Sequence, residues 1–196
     1  MQGIDVSENN GLVDFGAVRN WGYDFAIIRL GYGNDHLDSC FYDNVNAALG
    51  AGLKIGIYYY SYALDEDMAR KEADFVLDIL EGCGLTADKL EMGIWFDMED
   101  ADGYKAARIS FTPQLITNIC SIFVNAMWRA GYSRAGVYAN LDWFTNYIYT
   151  DQLSCPKWCA QYANACDFGD AFMWQFTDSA DIGGKQFDAN ELLKEW

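Results

Sequence analysis

Asp97-Met98-Glu99 is the tripeptide of this chain best suited to chemistry. It closes the apolar run Ile94-Trp95-Phe96, which reads as a buried strand. Side chains alternate along a strand, so Asp97 and Glu99 share one face and Met98 takes the other. Two carboxylates crowded into an apolar setting repel one another and are poorly solvated, so one of them keeps its proton near neutral pH. A protonated acid beside an ionised one is what cleavage of a glycosidic bond requires. A bare Asp-x-Glu is common, however, and taken alone it reads as a strand end that caps loop amides or meets solvent. Two more acids belong to the same picture. Asp5 follows the opening strand around Ile4, and Asp188 ends a last strand, Gln186-Phe187-Asp188.

Composition narrows the chemistry. The 196 residues suit one ordinary domain or a compact α/β barrel, and 52% hydrophobic and 16% aromatic content is too rich for disorder. The chain carries 29 acidic against 13 basic residues, a net charge of −16. That disfavours nucleic acid and anionic membrane surfaces, which need clustered Lys and Arg. Such a field also raises the pKa of any catalytic acid. No apolar run is long enough to span a bilayer. The start shows no basic segment followed by an apolar one, so no signal peptide is expected, and the chain reads as a trimmed module or a protein exported by another route. The single histidine, His36, sits in the polar run Asn34–Asp38, expected to be a loop. One histidine excludes multi-histidine zinc sites, and six cysteines without Cys-x-x-Cys spacing give no zinc or thioredoxin motif. Cys120 reads as a buried thiol on a helix, and Cys155, Cys159 and Cys166 are close enough to permit one disulfide.

The elements that must position the acids alternate along the chain. Strand candidates cover 23–30, 53–62, 94–97 and 135–139. Between them run helices over 38–49, from an Asp65 cap to about Gly82, and from Thr112-Pro113 to Gly131. After residue 139 the pattern changes: 158–162 and 172–176 read as strands with too little chain between them for full helices. Strand–helix alternation argues for a parallel sheet, and about eight strands with helices only in the first part close most economically as a barrel with an incomplete helical ring. With two prolines and no composition break, residues 1–196 read as one domain. Chemistry in such a barrel sits where strands end, and the first and last strands are neighbours, so all four acids are brought towards one mouth.

Seven segments, in order, resemble the glycoside hydrolase family 25 muramidases. They are Gly3-Ile4-Asp5-Val6-Ser7, the run from Ile27 to Gly33, Ile57-Tyr58-Tyr59-Tyr60-Ser61, Asp97-Met98-Glu99, the pair Trp158–Tyr162 and Trp174–Thr177, and Ile182–Asn190. The resemblance implies an α/β fold, a flattened TIM-like (β/α)5(β)3 barrel, and hydrolysis of the β-1,4 bond between N-acetylmuramic acid and N-acetylglucosamine in peptidoglycan. It implies Glu99 as general acid/base and Asp97 as the group that orients the substrate's N-acetyl, with Asp5 and Asp188 lining the same pocket. Tyr60, Tyr138, Tyr162 and Trp174 match aromatic sugar-contacting positions, core packing being the alternative for each. Arg29, on a buried-type strand, is expected to pair with one of the acids, since an isolated interior guanidinium is costly. Many relatives carry a histidine where this chain has Tyr59, which removes any role borrowed from an imidazole.

No cofactor or metal is implied. The expected setting is extracellular or at the cell wall, as a monomeric module of a secreted bacterial enzyme or phage endolysin, of the kind that wall-binding repeats flank. Substrate-assisted attack by the acetamido oxygen is the favoured route. Two other classes stay open: a metal-dependent phosphodiesterase built on the four carboxylates, and a wall-binding module without catalysis.

Overall fold

A computed structural model describes residues 1–33 and 35–196, so Asn34, in the run expected to be a loop, lies outside the described residues. In chain order the elements are β1 (Gln2–Val6), α1 (Phe15–Asn20), β2 (Phe25–Tyr32), β3 (His36–Leu37), α2 (Phe41–Gly50), β4 (Lys54–Tyr60), α3 (Glu66–Cys83) and β5 (Ile94–Asp97). There follow α4 (Pro113–Arg129), β6 (Ala135–Asn140), α5 (Leu141–Asn146), β7 (Lys157–Ala160), β8 (Met173–Ile182) and β9 (Lys185–Leu192). The strand order β1-β9-β8-β7-β6-β5-β4-β2, with β1 also paired to β2, closes a barrel, and β3 is appended outside it. Five strand–helix units followed by three strands give the flattened (β/α)5(β)3 arrangement.

Six pairings around the barrel are parallel, whereas β8–β9 and β9–β1 are antiparallel. The expectation of a parallel sheet is corrected there for a simple reason. Only Gly183-Gly184 joins β8 to β9, both at positive φ (64° and 84°), which makes a tight hairpin and leaves no length for a crossover. His36 is also corrected: it lies in β3, paired antiparallel to Tyr32, with its ring stacked on Tyr32 at 5.0 Å.

Alternation along the strands sorts side chains into two cores. Ile4, Ala26, Ile28, Ile57, Ile94, Phe96, Val137 and Ala139 face outwards, under the helices, where Phe96 stacks on Phe123 of α4 at 4.1 Å. Phe25, Ile27, Trp95, Tyr138, Trp158 and Met173 fill the barrel itself. Inward-facing glycines admit this bulk. A Cβ on Gly136 would meet Pro156 O at 2.5 Å and Trp95 at 2.7 Å, and one on Gly3 would enter the Phe25 ring.

The helices begin where their caps are. Asp65 accepts from Met68 N ahead of α3, and Thr112 accepts from Leu115 N ahead of Pro113, while Gly84 closes α3 in the left-handed conformation (φ 66°). Helices α1 and α5 were not expected from periodicity, because six residues make fewer than two turns and show no face. Their capping residues, Asp14 and Asn140, were the available signal. No helix among the described residues is long and apolar enough to cross a membrane.

Candidate active site

The C-terminal ends of the parallel strands open into a cavity of about 470 Å³. Asp5, Asp97, Glu99 and Asp188 all line it, together with Arg29, Tyr58, Tyr60, Tyr138, Trp158, Tyr162 and Gln175. Asp97 is the last residue of β5, with Glu99 two positions on, and Met98 between them is wholly buried in the outer core. The strand alternation thus carries two residues past the strand's end.

Asp188 is placed differently from the expectation. It lies in the middle of β9 and not at its end, directly opposite Asp5 in the β1–β9 register. Because β9 runs against β1, a mid-strand position reaches the mouth.

Asp5 sits in a directed hydrogen-bond network. Its Oδ2 accepts from Gln175 Nε2 and Asn190 Nδ2, both at 2.8 Å. The Trp158 indole N–H, a donor only, donates to Asn190 Oδ1 at 2.9 Å, and the Tyr138 and Tyr162 hydroxyls donate to Gln175 Oε1 at 3.0 and 3.2 Å. Each amide therefore has its oxygen occupied and its nitrogen turned towards Asp5. Burial and the neighbouring Asp188 nevertheless outweigh these donors and push the Asp5 carboxyl from its ordinary 3.8 up to about 8. Asp188 is also raised, by burial first and then by Asp178, and it is relieved by a hydrogen bond from Asp5. The two acids therefore titrate as a pair and not singly.

Burial is likewise the largest influence on the second pair. It raises Asp97 well above the usual carboxylate range, with Glu99 and Asp5 adding repulsion and Lys105 and Arg29 opposing it. Glu99 is raised too, by burial and by Asp102, Asp188 and Asp100, against Lys105. Asp97 is the more deeply enclosed of the two, and its Oδ1 has no hydrogen-bond partner among the described residues. A buried acceptor without a donor is costly to ionise, which agrees with the upward shift of this carboxyl.

Arg29 lines the cavity but does not pair with any of the four acids. Its Nε donates to Asp38 Oδ2 at 2.8 Å and its Nη2 to Glu8 Oε1 at 2.9 Å, while Glu8 is held by Ser39. The expected pairing is corrected, since Asp38 and Glu8 stand nearer the guanidinium. Tyr60, Tyr138 and Tyr162 line the cavity as placed from sequence. Trp174 is not among its lining residues: its indole Nε1 donates to Gln161 O at 2.7 Å and its ring packs against Phe176. Tyr58, Trp158, Gln175 and Asn190 were not singled out as site residues. Their inward parity on strands that also carry an acid or a mouth tyrosine was the signal.

All six cysteines are free thiols, and Cys120 is fully buried on the inner face of α4. Among the described residues, no three His, Cys, Asp or Glu side chains are grouped so as to hold a metal ion.

Fold and site together define an α/β barrel whose mouth carries two pairs of buried carboxyls above an aromatic floor. Residues 4–185 match Glycosyl hydrolases family 25, and the chain belongs to that family. It is 27% identical over 186 residues to the autolytic lysozyme of Clostridium acetobutylicum, covering 94% of this chain and 52% of that protein. It is similar in structure to the modular autolysin LytC from Streptococcus pneumoniae, solved with a synthetic peptidoglycan ligand (TM-score 0.85, 24% identity, 96% of this chain and 46% of that one). A family 25 glycosyl hydrolase from Bacillus anthracis shares the fold over the whole chain (TM-score 0.84, 18% identity, 89% of that chain). The chain thus spans about half the length of the autolytic lysozyme and of the autolysin.

Proposed function

We propose that residues 1–196 form one catalytic domain, a muramidase that hydrolyses the β-1,4 bond between N-acetylmuramic acid and N-acetylglucosamine in peptidoglycan. The observation that carries this reading is the Asp97–Glu99 pair at the cavity floor, both carboxyls raised and Asp97 Oδ1 without a partner. In the free cavity burial raises both carboxyls, so the pair resists double ionisation. An acetamido N–H set against the Asp97 carboxyl favours ionised Asp97 and leaves the proton to Glu99. Glu99 then protonates the departing glycosidic oxygen while the acetamido oxygen, held by Asp97, attacks the anomeric carbon. Water, deprotonated by Glu99, opens the resulting cyclic intermediate. Asp5 and Asp188 shape the far wall of the cavity, and Tyr60, Tyr138 and Tyr162 offer ring faces and hydroxyls to the sugars.

The relatives' names, autolytic lysozyme and modular autolysin, support action at the cell wall and a place among additional modules.

Glu99→Gln is expected to lower release of reducing ends from purified walls by about 10²–10⁴-fold with an unchanged fold. Near-normal release by that variant, or wall binding by the unaltered protein without any release, overturns the assignment. Product NMR during turnover tests the route: double displacement through the acetamido group yields the β-anomer first, and an initial α-anomer excludes it.

A further inference from the structure

Lys105 lies in the loop between β5 and α4 and is wholly buried although charged. The loop is wound back by Asp100, whose carboxylate accepts from the backbone N–H groups of Lys105 (2.7 Å) and Ala106 (2.9 Å). So folded, it sends the lysine beneath the cavity. The ammonium Nζ donates to Ser61 O, just past β4, at 2.5 Å and to the backbone carbonyl of Glu99 itself. Nζ also stands 5.4 Å from the centre of the Tyr60 ring and 5.8 Å from that of Tyr62. A long aliphatic stem, a point charge and two carbonyl acceptors on adjacent strand ends make a clamp, one whose removal leaves two buried carbonyls without donors.

We propose that Lys105 is a positioning residue for the reaction: it fixes the backbone of Glu99 against the end of β4 and keeps a positive charge behind the Asp97–Glu99 pair. The inference rests on the reading of Glu99 as the acid. Four carboxyls face the ammonium: Asp97, Glu99 and Asp100 from β5 and its loop, and Glu72 from α3. Glu99 in turn faces Lys105, Asp100, Asp102 and Asp188, with Tyr60, Tyr138 and Tyr162 across the cavity. Asp97 faces Asp5, Glu99, Lys105 and Arg29, with Tyr58, Tyr60 and Tyr138 around it. Burial lowers the lysine's pKa and its four acidic neighbours hold it up. As the nearest cation it restrains the upward push on both site carboxyls, and it is the largest opposing influence at each.

Lys105→Met keeps the stem and removes the charge, and Lys105→Gln keeps a donor without charge. In both, the alkaline limb of the activity profile is expected to move up by about one pH unit. The Glu99 carboxyl midpoint, followed by carbon NMR and assigned against Glu99→Gln, is expected to rise with it. A profile merely scaled down, with the Glu99 midpoint unmoved, refutes the charge role. The NMR midpoint needs no turnover, so it fails or holds independently of the wall-hydrolysis reading. In the unaltered protein the nitrogen shift of Lys105 Nζ reports its charge directly, and a neutral amine at pH 7 overturns the proposal even if neither variant folds.

Discussion

Asp5→Asn is expected to make the protein more stable, and by an amount that grows with pH. In the folded chain the Asp5 carboxyl is raised from 3.8 to about 8, so its ionised form is disfavoured inside and favoured outside. For an acid shifted upwards, the folded state is undisturbed below the unfolded value of 3.8 and loses stability as pH climbs towards about 8. At ~1.4 kcal/mol per pH unit the loss is about 4 kcal/mol at pH 7 and levels off near 6 kcal/mol above pH 8. These are ceilings, because Asp5 titrates as a pair with Asp188 and the loss is divided between them. Asparagine reproduces the protonated acid: its oxygen accepts from Gln175 and Asn190, and its amide donates to Asp188, with no charge to bury. The difference in unfolding free energy between variant and parent, from urea transitions at half-unit steps between pH 3.5 and 8.5, should start near zero and rise steadily before flattening. A flat difference, or a variant less stable at pH 8 than at pH 4 by the same margin as the parent, refutes the reasoning.

Asp97→Asn should keep the fold, with a melting temperature at neutral pH at or above the parent's by the same burial argument, while lowering turnover on walls by about 10²–10³-fold, since a neutral amide cannot hold the developing charge on the acetamido group. Full turnover by that variant removes Asp97 from the mechanism. Gly136→Ala should cost about 1–3 kcal/mol in a denaturant transition, because its new methyl meets Pro156 O and the Trp95 ring inside the barrel. An unchanged midpoint would mean that the barrel interior yields more readily than its aromatic filling suggests.

Much of the site was readable where local rules sufficed. Strand parity put Asp97 and Glu99 on one face and Met98 on the other, and the caps at Asp65 and Thr112 marked their helices to within a residue. Closure of the barrel brought Asp5 beside Asp188, although the hairpin made that meeting antiparallel and mid-strand. What escaped was set by partners distant along the chain. Arg29 had many acids to choose from, and its choice of Glu8 and Asp38 depends on where Ser39 pins Glu8. Lys105 sits in a polar stretch that reads as a solvated loop, and only the turn wound by Asp100 sends it inside. Trp174 matched a sugar-contacting position by motif; its indole N–H donates to the carbonyl of Gln161 and it stands outside the cavity lining.

The filling of the barrel has one more consequence. Phe25, Ile27, Trp95 and Trp158 occupy its interior beneath the acids, and Trp196 packs on Trp95 and Phe172 at the far end. The molecule is a stoppered cup and not a pipe. On the proposed reading, a polymer cut at its rim cannot be threaded through; it must be laid across from the side, and both severed ends must lift away through the opening by which the strand arrived.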